Sequence, residues 1–132
     1  MMSTMQALVW SAILTWLMLI AASVLRAEAW TSSGMQVAFG NRDKLPELTP
    51  LAGRADRAAK NMLENLAIFT ALLAAVHLAG KAGTRADLGA NVFFWARLAY
   101  WPCYLAGIIY LRTALWLVSI IGLAMVAAQM IR

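Results

Sequence analysis

Met62-Leu63-Glu64-Asn65-Leu66-Ala67-Ile68-Phe69-Thr70-Ala71-Leu72-Leu73-Ala74-Ala75-Val76-His77-Leu78-Ala79 decides the fold of this chain. A bilayer's hydrocarbon layer takes about 20 residues of helix to cross, and this run carries one charged residue, Glu64, in an otherwise predominantly apolar stretch. Working outward, Leu88–Leu111 has the same character with Arg97 as its one charge, while Met5–Leu25 and Thr113–Ile131 carry none. Only helices and closed barrels satisfy their backbone in lipid, and runs of this length are helical. The expected architecture is an all-α, integral membrane four-helix bundle forming one domain, with helices at about 5–28, 55–80, 86–111 and 113–131.

Composition agrees, since 63% of the 132 residues are hydrophobic and 13% charged, with a mean hydropathy of +0.71. These values exclude an ordinary soluble domain. The formal charge of +5 describes a basic rim facing anionic lipid heads or an anionic substrate, and nucleic acid is not needed to explain it. Lys and Arg stay on the cytoplasmic side of short loops. The first connection and the third turn hold Arg26, Arg42, Lys44, Arg54, Arg57, Lys60 and Arg112, against Lys81, Arg85 and Arg132 on the other side. Both termini are therefore expected outside and the 30–56 loop in the cytoplasm. A cleaved secretory signal ending at Ala27-Glu28-Ala29 is the competing reading. No cation precedes the apolar stretch, and its length exceeds the 7–15 residues of a signal core, so a retained first helix fits better.

The long connection from Trp30 to Asp56 is punctuated by Ser32-Ser33-Gly34, Gly40-Asn41, Pro46 and Pro50. With Leu45, Leu48 and Leu51 spaced along it, the connection is expected to fold back over the cytoplasmic mouth.

An ionisable group in hydrocarbon costs roughly 2.5–3.5 kcal/mol on insertion scales, so Glu64 and Arg97 each require a partner or a wet cavity. Arg57, Asn61 and Glu64 are spaced i, i+4, i+7 and share a sector of roughly 60° on the second helix. Asn65 borders this stripe, and Ile68 continues it in apolar form, which marks a cavity mouth and not a through-pore. Arg97, Tyr100 and Tyr104 share a face of the third helix in the same way, with Pro102 among them and Gly107 beyond, where another backbone is expected to approach closely. Arg112 closes the run, where an interfacial snorkelling role competes with a functional one. Glu64 and Arg97 pairing directly to staple two helices is the simplest alternative to a site. A staple alone leaves Arg57, Asn61, Tyr100 and Tyr104 unexplained.

Elsewhere the chemistry is sparse. His77 reads as an interface histidine, and the lone Cys103 reads as apolar filler. No metal-spaced cluster, phosphate loop or Ser/His/Asp set is present. Ala21, Ala22 and Ser23 in the first helix, and Ala124, Ala127 and Ala128 in the fourth, permit close helix contacts.

Arg57-x-x-x-Asn61-x-x-Glu64 followed by Phe94-x-x-Arg97-x-x-Tyr100-x-x-x-Tyr104 resembles the membrane-associated proteins in eicosanoid and glutathione metabolism, MAPEG, over nearly the whole chain. Asn41-Arg42-Asp43, Pro46 and Gly53-Arg54-Ala55-Asp56-Arg57-Ala58 resemble the family's bacterial branch. The resemblance implies a homotrimer in the bacterial inner membrane, with glutathione as cosubstrate bound between subunits near the cytoplasmic side. Arg57, Asn61, Glu64, Arg97, Tyr100 and Tyr104 are then the residues that hold glutathione. Arg112 is the nearest match to the arginine that favours the thiolate in the family, with Arg26 as a second candidate that also reads as a positive-inside anchor. The implied activity is a glutathione-dependent transferase or peroxidase acting on a lipophilic small-molecule substrate that arrives from the membrane lipids. A non-catalytic membrane protein binding a lipid or anionic metabolite in the same stripe is the alternative. A small ion conductor is the third reading, and the first and fourth helices supply no polar path for it.

Overall fold

The computed structural model describes residues Met1–Arg132 and is entirely helical, with α1 at Thr4–Ala27, α2 at Ser32–Phe39, α3 at Pro50–Leu78, α4 at Thr84–Leu105 and α5 at Ile109–Ile131. Local chemistry sets these limits. The Ser3 hydroxyl accepts from the Gln6 N–H while the Gln6 side chain accepts from the Ser3 N–H, a capping box that opens α1. Thr49 caps α3 through the Ala52 N–H at 3.1 Å, and Pro50 occupies the first helical position, where its missing N–H is harmless. The helix therefore starts at Pro50, ahead of the expected residue 55.

Two ends are closed by left-handed glycines. Gly80 (φ 66°) donates to the His77 carbonyl and Lys81 to that of Val76. At the end of α4, Gly107 (φ 76°) donates to Tyr104 and Ile108 to Cys103. Both are Schellman turns, which satisfy orphan carbonyls and stop a helix. The second one corrects the expected span of 86–111. The helix runs through Pro102 but stops at Leu105, and Arg112 belongs to the first turn of α5. It also corrects the role of Gly107, which reverses the chain and lies beneath the Arg54 side chain, with no other backbone close by. Arg54 Nε donates to the Leu105 carbonyl at 3.0 Å and so ties the start of α3 to this turn.

The long connection contains a helix where the sequence suggests a loop. Glu28 takes a left-handed conformation (φ 53°), the chain reverses, and Thr31 caps α2 through the Gly34 N–H at 2.9 Å. Gly34 sits on the end of α1 so closely that a Cβ there would lie 1.8 Å from the Glu28 carbonyl oxygen. Further along, the Arg26 guanidinium donates to the Pro46 carbonyl. Among the helices α2 touches α1 alone, so it lies beside α1 and does not cover the expected mouth. Gly34→Ala is expected to detach α2, because neither backbone can yield. Limited proteolysis would then cut within residues 29–49 while the long helices stay intact; an unchanged digest would show that the contact is dispensable.

The four long helices form a rhombus. The α4–α5 hairpin is the most extensive pairing and α1–α3 the next; α3 and α4 meet along the short diagonal, and α1 and α5 do not touch. Phe69 of α3 and Phe93 of α4 pack with ring centroids 4.3 Å apart, surrounded by Leu14, Met18, Met62, Leu73, Val76 and Val126. One end is laced by polar groups: Asp87 accepts from the Thr4 N–H at 2.7 Å, Thr4 Oγ1 and His77 Nε2 share a hydrogen bond at 2.7 Å, and Asn91 exchanges two bonds with the Met2 backbone.

Outside this core the surface is greasy: Trp10, Trp16, Ile68, Trp95, Tyr110 and Ile121 are all exposed. Helices α1, α3 and α5 are long and apolar enough to cross a membrane. The chain is thus an integral membrane protein. Helix α4, expected as a fourth span, falls short of that standard because Arg85, Asp87, Asn91 and Arg97 dilute its apolar residues.

Candidate functional site

The two polar stripes meet. Asn61 on α3 accepts a 2.6 Å hydrogen bond from Arg97 Nη1 on α4, and Arg57 Nε, one turn earlier, donates to the Tyr104 hydroxyl at 3.3 Å. Arg97 is fully buried, with its guanidinium carbon 5.0 Å from the Tyr100 ring centre and 5.8 Å from that of Phe93. Stacking on ring faces stabilises a cation that has left water. Its Nε and Nη2 nonetheless have no hydrogen-bond partner. Tyr100 and Tyr104 pack edge to face at 5.4 Å, and Arg112, arriving from α5, places its guanidinium 4.5 Å from the Tyr104 ring centre. Tyr104 is therefore held between two cations, Arg57 at its hydroxyl and Arg112 at its face.

These groups border an open pocket of about 280 Å³ lined by Asn61, Tyr100, Tyr104, Arg112, Thr113 and Trp116. Arg97 lies behind its wall, joined to it through Asn61 and Tyr100. Asn65, buried beside Asn61, donates to the Asn61 backbone carbonyl at 2.8 Å and holds that turn in register.

Glu64 stands apart. It is exposed on the outer side of α3 and forms no ion pair; the one salt bridge of the chain is the surface pair Lys60–Asp56 at 2.8 Å. The direct Glu64–Arg97 staple is therefore absent, and Asn61 takes the place of the acid. Arg26, considered beside Arg112 as a thiol-side cation, is engaged with Pro46 and does not line the pocket. Thr113 and Trp116 are pocket residues that the sequence reading missed. Trp116 carries a signal in its i+4 spacing from Arg112, visible only once α5 is known to start before Arg112; Thr113, one residue on, carries none. Cys103 is half-buried and free.

The arrangement offers a wall of hydrogen-bond donors, three guanidinium groups in or next to it, and aromatic faces. That suits a ligand with carboxylates better than it suits a cation. Searches among curated proteins and solved structures gave no match. A family model, by contrast, matches residues 4–132, nearly the whole chain, and this protein belongs to the MAPEG family.

Proposed function

We propose that the protein is a membrane-bound glutathione-dependent transferase or peroxidase acting on lipophilic electrophiles. The observation that carries the reading is the convergence of Asn61, Tyr100, Tyr104 and Arg112 on one pocket, with Arg57 on the Tyr104 hydroxyl and the unpartnered donors of Arg97 behind the wall. Glutathione has two carboxylates, an ammonium and a thiol. Adjacent Nε and Nη2 donors form the fork that takes a carboxylate by two parallel bonds; those are the atoms Arg97 leaves free, and a carboxylate reaches them once the wall of Asn61 and Tyr100 opens. Arg57 serves the second carboxylate, and Asn61, Tyr100 and Tyr104 supply the neutral hydrogen bonds and the aromatic wall.

In this reading Arg112 is the catalytic residue. A free thiol with a pKa of about 8.5 is mostly protonated at neutral pH, and a neighbouring cation favours the thiolate. Once the proton has left to solvent, the thiolate forms a C–S bond while the electrophile's leaving group departs with its electron pair. In the peroxidase case it attacks one peroxide oxygen, the O–O bond breaks to release an alcohol after protonation, and a second glutathione converts the resulting sulfenic acid to glutathione disulfide and water.

One chain alone gives too little enclosure. Its pocket of about 280 Å³ falls at the small end of ligand sites, which span roughly 300–1,000 Å³. Glu64 stands exposed halfway along α3, where an ionised carboxylate facing lipid is costly. A homotrimer of four-span subunits, with α4 as the fourth span shielded by its neighbours, resolves both. Glu64 then turns toward the site shared with the adjacent copy and meets the glutathione ammonium. The setting is the bacterial inner membrane, with the basic end in the cytoplasm and both termini outside.

Titrating detergent-purified protein with glutathione tests this reading through thermal stability and ultraviolet thiolate absorbance. Wild type is expected to gain both stability and a thiolate signal. Arg112→Leu is expected to keep the stabilisation and lose most of the signal, by tenfold or more if the cation supplies about 1.4 kcal/mol of thiolate preference. A wild-type protein that glutathione leaves unchanged sinks the assignment. Stabilisation without thiolate or conjugate from a model electrophile replaces it with a binding protein.

A further inference from the structure

Residues 29–40 read Ala29-Trp30-Thr31-Ser32-Ser33-Gly34-Met35-Gln36-Val37-Ala38-Phe39-Gly40, twelve positions without a charge that begin one residue, Glu28, past the end of the membrane-spanning α1. Connections that live in water are rarely so bare, and α2 does not hide its apolar side chains. Phe39 is 84% exposed, Trp30 64% and Met35 41%.

The helix divides around its axis into three sectors. Gly34 is buried on α1, with Val37 and Ala38 half-buried beside it. Met35 and Phe39, four residues apart, lie about 40° from each other on one exposed flank at 100° per residue. Ser33 and Gln36 occupy the other. Gly34 also fixes the rotation of α2, because its backbone presses on the Glu28 carbonyl. The apolar flank therefore has no means of turning inward, and it starts within one short turn of the end of α1. Arg42 and Lys44 follow with Asp43 between them, and with Arg26, Arg54, Arg57, Lys60 and Arg112 the cations at this end of the molecule outnumber the acids Glu28, Asp43, Glu47 and Asp56.

We propose that α2 is an interfacial helix that lies in the plane of the bilayer surface. Trp30, Met35 and Phe39 enter the boundary between headgroups and acyl chains, Ser33 and Gln36 face water, and Arg42 and Lys44 sit among anionic headgroups. An apolar flank, a polar flank and adjacent cations are the composition that holds a helix at that depth, and an interfacial Trp suits the same level. The bilayer then clamps the end of α1 through Gly34 and, through the Arg26 to Pro46 bond, the connection that leads into α3. A second copy of the chain is the rival occupant of the flank. It gives no reason for the lack of charge to begin where α1 leaves the membrane.

Nitroxide labels decide between them. Replacing Cys103 by Ser removes the one native thiol, after which single cysteines are placed by Met35→Cys, Phe39→Cys, Ser33→Cys and Gln36→Cys. The full chain is reconstituted in vesicles of phosphatidylcholine and phosphatidylglycerol. All four positions are exposed, so labelling leaves the packing undisturbed. Labels at 35 and 39 are expected to collide several-fold more with oxygen, which partitions into acyl chains, than with a water-soluble nickel chelate. Labels at 33 and 36 should show the reverse. Equal access of the nickel chelate to all four would place α2 in water and overturn the proposal. Shielding of 35 and 39 from both reagents would overturn it in favour of a protein partner.

Discussion

Asn61→Ala is expected to destabilise the protein by about 3 kcal/mol, whereas Arg97→Met is expected to cost only about 1. The order is counterintuitive for a buried arginine and follows from its surroundings. Arg97 is fully enclosed, and Nη1 to Asn61 Oδ1 at 2.6 Å is its one hydrogen bond. Arg97 already lacks an ion-pair partner, so removing that acceptor leaves a buried charged donor with no hydrogen bond at all, which costs the upper end of the range for an unsatisfied buried group. Removing the cation instead leaves a neutral Asn61 whose amide partner Asn65 is already 3.5 Å away. Methionine then fills the space against Phe93 and Tyr100 with a flexible thioether.

The double variant Asn61→Ala with Arg97→Met should recover most of the loss and melt close to Arg97→Met alone. Unfolding in detergent by heat or SDS measures the set. If Arg97→Met proves the most damaging, Arg97 is chiefly a staple, and the site loses its deepest ligand group. The same variant separates structure from binding. A folded Arg97→Met protein that no longer responds to glutathione assigns the unpartnered Nε and Nη2 to the ligand.

Periodicity made much of this readable in advance. Apolar runs of span length located the long helices; i, i+4 spacing placed Arg57 with Asn61, and i, i+3, i+7 spacing placed Arg97 with Tyr100 and Tyr104. Such spacing says which side chains share a face but not what lies opposite it. Asn61 and Glu64 differ by about 60° around α3, and that rotation was enough to send one to Arg97 and the other to the outer surface. Nor does apolar patterning show where a helix stops inside a greasy run. The break at Ala106–Ile108 depends on Gly107 taking φ 76° and on Arg54 reaching the Leu105 carbonyl from another helix. Helix α2 escaped notice because eight residues are too few for a periodic signal, and its position depends on a single glycine contact. The Met2, Thr4, His77, Asp87 and Asn91 network joins groups far apart in sequence, so no local pattern announces it.

Gly122→Ala is the second substitution with a large expected effect, because a Cβ there would lie 2.7 Å from both the Gly89 carbonyl oxygen and the Phe93 nitrogen. Those are backbone atoms of α4, and no rotamer change relieves the clash. The contact is reciprocal, since a Cβ on Gly89 would meet the Gly122 carbonyl at 2.8 Å. Small residues that let two backbones approach are a main source of helix association in lipid, where no hydrophobic force presses helices together. Forcing α4 and α5 apart at their most extensive interface is expected to cost toward the upper end of the usual range for overpacking, about 1–3 kcal/mol. Gly83→Ser is the control: its surroundings are open within 4 Å, its backbone is extended, and serine is a favoured residue at this N-cap of α4, so its melting temperature should not fall. The two effects on glutathione should differ from those at Arg97. Gly89 and Gly122 lie far along the hairpin from the Gly107 turn, whereas Tyr104 and Arg112 flank the turn itself, where the Schellman bonds and Arg54 hold the chain. Splaying the open end leaves that stacked pair in place. Gly122→Ala should therefore melt early yet keep its glutathione response below the transition, and losing both together would mean that the pocket depends on the whole hairpin and not on its turn.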